Sequence, residues 1–145
     1  MLTIDTNVFV SARVRTEANQ AMSDQFLKQT ALKAVRVYCP TLVLPETAAA
    51  VTRATNRAVL PSLARVQIET FPNLSLEELT LDRARRAADI AVSCRLRGAD
   101  AVYVAVAQEY GATLITWDAE RLASGEPDLG SLGTRAHGLQ SYLGL

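Results

Sequence analysis

"GADAVYVAVAQEYGATLITWD", residues 98–118, is the stretch on which the fold turns. Alanine content and length make residues 99–110 a helix in spite of the valines, and Gly111 ends it. "ATLIT" at 112–116 then reads as a strand. Asp100 opens the helix and Asp118 follows the strand, so a carboxylate stands at each end of this helix–strand unit.

Working outward, the same pattern recurs. Residues 2–5 read as a short buried strand and 17–35 as a helix, with apolar positions at Met22, Phe26, Leu27, Ala31 and Ala34. "VRVYC" at 35–39 is a second strand, closed by Pro40. Residues 41–56 read as a helix that tolerates Pro45 only near its first turn, with a further helical piece at 57–67. "IETF" at 68–71 is a weak third strand. Ser75 and Glu78 form a capping box that starts a long helix to about Arg95. "WDAERLAS" at 117–124 reads as a short helix, and a last edge strand is expected around 133–137. Strands alternate with helices throughout, which implies an α/β domain with a mostly parallel sheet and right-handed crossovers. No linker or repeat divides the chain, so residues 1–145 are expected to form one domain.

Composition narrows the class. The formal net charge is zero, which argues against coating nucleic acid through bulk charge, though a local basic patch stays possible. Thirteen of the 15 basic residues are arginine, a side chain suited to bidentate phosphate contacts. Cys39 and Cys94 form no CxxC pair and have no histidine cluster beside them to complete a zinc site. No secretory signal is visible, and "AVYVAVA" at 101–107 is too short to span a bilayer. A reducing cytoplasmic location is expected, with both cysteines as buried thiols.

In open α/β sheets, sites gather at the carboxyl ends of strands. Asp5 follows the first strand, Glu46 lies in the first turns of the helix after the second, and Asp100 and Asp118 bracket the unit above. Taken singly, each reads as a helix cap or first-turn acid. Taken together, they would repel one another on one sheet edge, and a divalent cation would remove that cost. Carboxylate oxygens suit Mg²⁺ or Mn²⁺, which can activate water and stabilise a phosphodiester during in-line displacement. No GxxxxGK[ST] or GxGxxG occurs. An aspartyl-phosphate phosphotransfer or phosphatase-like enzyme with Asp5 as nucleophile is a rival, weakened because no lysine follows Lys33. A non-catalytic interaction module whose acids are caps is the other. His137, the only histidine, cannot build an acid–base pair alone.

"IDTNVFV" at 4–10, the lone acid in "LVLPETAAAV" at 42–51, and residues 98–118, with the spacing between them, resemble the PIN-domain family, in particular the VapC-type toxins of toxin–antitoxin pairs. The likeness runs from Leu2 to about Leu122, and nothing is carried over to the tail beyond. It implies a three-layer α/β/α fold with strand order 3-2-1-4-5 and a Mg²⁺- or Mn²⁺-dependent ribonuclease. It also implies a cognate antitoxin and a homodimer. The acidic quartet would be Asp5, Glu46, Asp100 and Asp118, serving as metal ligands and catalytic groups, with Thr6, Asn7 and Thr116 as polar neighbours. Among nearby cations Arg13 is favoured for RNA contact, ahead of Arg15, Arg53, Arg95 and Arg97. Pro45 departs from the family pattern and puts the local helix start in question. Trp117 is expected to pack in the core or at the rim.

Overall fold

A computed structural model describes residues 1–14, 19–55, 59–118 and 135–143. The chain begins with β1 (Leu2–Ile4), buried throughout, then α1 (Thr6–Ser11) and α2 (Gln20–Leu32). β2 (Val37–Pro40) leads into the packed pair α3 (Val43–Thr55) and α4 (Leu60–Glu69). β3 (Leu74–Glu77) is followed by a second packed pair, α5 (Leu81–Ser93) and α6 (Gly98–Glu109). β4 (Thr113–Thr116), β5 (Arg135–Gly138) and α7 (Leu139–Leu143) complete the described elements. Pro45 is the third residue of α3, where a missing N–H leaves no helical bond unmade.

The five strands form one sheet in the order β3-β2-β1-β4-β5, and every pairing among them is parallel. Leu2 stands opposite Val37 on one side and Thr113 on the other. Strand order fixes the layers. The chain steps outward from β1 to β2 to β3, then crosses back to β4 on the other side of β1. Right-handed crossovers therefore put α1–α4 on one face and α5–α6 on the opposite face. The direction reverses between β1 and β4, and that reversal opens a crevice at their carboxyl ends.

Burial follows the same logic. Ile4, Val8, Phe9, Val37, Cys39, Ile68, Leu114 and Ile115 are all fully enclosed. All seven residues from Ala101 to Ala107 are buried. Such a run suits a helix covered on one side by the sheet and on the other by α5. Both cysteines are buried free thiols, and burial pushes the Cys39 thiol up to about 12. Among the described residues no helix is long and apolar enough to cross a membrane.

Two sequence expectations need correction. The third strand is Leu74–Glu77, and "IETF" at 68–71 is instead the end of α4 and its exit. Ile68 points into the core as a helical residue, Pro72 stops the helix, and Asn73 turns the chain with φ +57. The helix expected from Ser75 starts at Leu81 instead. Its cap is Thr80, whose Oγ1 accepts the Arg83 amide at 3.3 Å, while Ser75 lies in β3 and bonds Glu77. The edge strand expected at 133–137 is β5. The short helix expected at 117–124 lies outside the described residues beyond Asp118.

Candidate active site

Asp5, Thr6, Asn7, Glu46, Asp100 and Asp118 line one cleft of about 700 Å³ at the carboxyl ends of β1 and β4. Each side chain arrives by a different route. β1 ends at Ile4, so Asp5 emerges at the sheet edge, and its backbone N–H still bonds to Ile115 of β4 at 2.9 Å. Asp118 stands two residues beyond the end of β4. Glu46 sits in the first turn of α3, and Asp100 in the first turn of α6.

The capping alternative can be tested directly. Asp5 occupies the N-cap of α1 without the geometry of a side-chain cap hydrogen bond, and the Asn7 backbone N–H exerts only the weakest of the pulls on its carboxyl. Asp100 is inside α6, whose N-cap residue is Arg97. Asp5 Oδ2 instead accepts the Thr116 hydroxyl at 2.6 Å. Thr116, fully buried, also accepts from Asn7 Nδ2 at 2.9 Å and from the Asp118 amide at 3.0 Å. Asn7 closes the circuit, because its Oδ1 accepts the Trp117 amide at 3.1 Å. Asp5, Asn7 and Thr116 thus hold the ends of β1 and β4 in a fixed relation.

Glu46 is held from two sides. Its Oε2 accepts the Thr6 hydroxyl at 2.8 Å and the Tyr103 phenol at 2.9 Å. Burial holds the Tyr103 phenol far above its ordinary pKa, so it stays a neutral donor. Asp100 accepts a forked contact from Arg97, at 3.0 Å through Nε and 3.4 Å through Nη2.

Electrostatics mark the cluster as unbalanced. Burial first, and then the charges of Asp100 and Glu46, push the Asp5 carboxyl up to about 6, against the pull of the Thr116 bond. The polar groups lining the cleft include carboxylates, hydroxyls and the amides of Asn7 and Asn19, whose oxygens are a hard set that fits Mg²⁺ or Mn²⁺. Among the described residues, however, no three acidic, histidine or cysteine side chains converge into a ready metal cage. Arg97 draws Asp100 toward itself, and the two hydroxyls hold Glu46.

Two cations, Arg53 and Arg97, line the cleft. Arg13 does not: it bonds Gln67 and the Phe9 carbonyl, and borders smaller grooves beside α2 and α4. Trp117 packs against the core at the rim and donates its indole N–H to buried Ser23 of α2 at 2.9 Å. Tyr103 escaped the sequence reading. The signal was there, since it is the one aromatic side chain in α6, three residues after Asp100 and so on the same helical face.

Solved structures share this architecture. VapC20 of Mycobacterium tuberculosis, described as a sarcin–ricin loop cleaving toxin, matches with TM-score 0.69 and 16% identity over 92% of this chain and 96% of that one. VapBC2 of Rickettsia felis, solved on a DNA fragment from its promoter, gives 0.68 and 13% over 94% and 97%. FitAcB of Neisseria gonorrhoeae gives 0.66 and 18% over 96% and 98%. At these identities the likeness is one of fold. No curated protein sequence matches the chain. Residues 2–124, which carry all four acids, match the PIN domain profile, and the chain belongs to the PIN domain family.

Proposed function

We propose that the protein is a metal-dependent endoribonuclease and the toxin of a type II toxin–antitoxin pair. One observation carries the reading: four carboxylates from four separate stretches of the chain line one cleft at the β1/β4 crossover point, and the deepest is already hard to ionise. Its fold neighbour VapC20, described as a toxin, supports the toxin assignment.

Asp5, Asp100 and Asp118 would hold Mg²⁺ or Mn²⁺, with Glu46 as a further ligand or as the group that orients a water. The cation, when bound, supplies Lewis-acid chemistry and lowers the pKa of water. The chain's own residues do the rest. Thr116 and Asn7 orient Asp5, and Thr6 orients Glu46. Arg53 and Arg97 give an incoming phosphate positive charge inside an acidic cleft. Single-stranded RNA is the substrate class, a cognate antitoxin the protein partner, and a homodimer the assembly. The protein would work in the cytoplasm.

Purified protein incubated with RNA should show cleavage with Mg²⁺ or Mn²⁺ that EDTA abolishes. Asp5→Ala and Asp100→Ala should each remove it. Cleavage that survives both substitutions would show that this cleft is not the nuclease site.

A further inference from the structure

Tyr103 is 2% exposed, within a helix whose neighbouring positions are alanine and valine. A phenylalanine would fill the same space without burying a hydroxyl that needs a partner. What the hydroxyl adds is specific. It reaches across from α6 to Glu46 Oε2 on α3 at 2.9 Å, the same oxygen that Thr6 of α1 reaches at 2.8 Å. The two hydroxyls lie 2.5 Å apart, and each has a single proton, so with both protons directed at Oε2 neither donates to the other. Three elements therefore meet on one carboxylate oxygen. Among the described residues Oε1 of Glu46 accepts no hydrogen bond, so the pair of donors leaves one oxygen for the cleft.

We propose that Tyr103 is a positioning residue for Glu46. With Thr6 it pins Oε2, and Oε1 becomes the oxygen that works in the cleft. The proposal rests on the nuclease reading above and adds to it a residue outside the acidic quartet and its polar neighbours. The physical basis is the ordering of a ligating or water-orienting carboxylate by groups behind it. Removing such groups commonly lowers metal affinity or activity by about 10–100-fold.

The test is a double-mutant cycle on Tyr103→Phe and Glu46→Gln, with Mn²⁺ affinity read by electron paramagnetic resonance and kcat and KM read on RNA. Tyr103→Phe should lower kcat about 10–100-fold and weaken Mn²⁺ binding, with the KM for RNA changed by less than about twofold. In the Glu46→Gln background the same substitution should add little, because its route of action is gone. An equal loss of Mn²⁺ affinity in both backgrounds would overturn the proposal, since Tyr103 would then act on the fold at large. So would a Tyr103→Phe protein that matches wild type in both kcat and Mn²⁺ affinity. If Tyr103→Phe does not fold, Thr6→Val removes the other donor to the same oxygen and should give the same pattern. A wild-type protein that neither binds Mn²⁺ nor cleaves RNA would overturn the nuclease reading itself, a result distinct from a Tyr103 effect that is absent.

Discussion

A single carboxyl, that of Asp5, concentrates the physics of the cleft. Its unfolded counterpart titrates near 3.8 and the folded one near 6. Between those values the folded state holds more protons than the unfolded state, so stability falls as pH rises. The penalty is absent below about pH 4 and complete above about pH 7. Asp5→Asn keeps an acceptor for Thr116 and removes the charge. In metal-free protein it should raise stability at pH 7 by on the order of 2 kcal/mol, a gain that vanishes toward pH 4. Urea melts at several pH values would read this directly. Arg97→Ala should raise the KM for RNA several-fold. It should also reduce the slope of log affinity against log salt by about 0.7, the signature of one lost phosphate contact to a single strand. The four acids were legible because each sits at a strand or helix end, where sequence pattern is informative. Of their hydroxyl partners, Thr6 and Thr116 were named through the family resemblance and do bond Glu46 and Asp5, while Tyr103 was missed. Tyr103 meets Glu46 across 57 positions, from helices on opposite faces of the sheet, and only the complete fold decides that meeting. Arginine position was least legible. A long side chain near the first motif, Arg13, turns to Gln67, and Arg97 turns into the cleft.

The elements show where local signals mislead. The β-branched and aromatic run at 68–71 looked like a strand, but Pro72 and Asn73 place the true boundary after it. The punctuation was the better guide, since proline and a left-handed asparagine act through backbone sterics alone. Three helices end in the same way, with an amide reaching back five residues: Val35 to Thr30, Leu96 to Ala91 and Ala112 to Ala107. Each motif needs one left-handed residue, and these are Ala34 at φ +50, Arg95 at φ +51 and Gly111 at φ +57. Only one of the three is glycine. Ala34→Gly should therefore stabilise the fold by about 1 kcal/mol, and Gly111→Ala should cost a similar amount. Thermal melts of the two variants should move in opposite directions.

For the whole molecule, alternation of strand and helix was enough to read the α/β class, and the family resemblance supplied the strand order that the sheet displays. What alternation did not reveal is how the α5–α6 pair is tied to the far edge of the sheet. Arg83, 5% exposed, makes a forked contact with Glu109 at 2.9 and 3.0 Å and a longer one with Glu77 at 3.4 Å. Tyr110 donates to the same Glu77 at 2.6 Å and stacks on Tyr38 of β2. Truncating Arg83 would leave Glu77 without its cation, while Glu109 would keep Arg86 at 2.8 Å, so Arg83→Ala should cost about 2 kcal/mol in a chemical melt. The cleft lies at the opposite end of α6, so RNA cleavage by the folded fraction should persist. The indole of Trp117 has a consequence of a different kind. It is the only tryptophan in the chain, and it lies between Thr116 and Asp118 with its N–H bonded to Ser23. Excited at the red edge of the aromatic band, the protein emits from the cleft rim alone. One optical signal then reports both the unfolding of the domain and the arrival of a cation or nucleotide at its acidic edge, with no label attached.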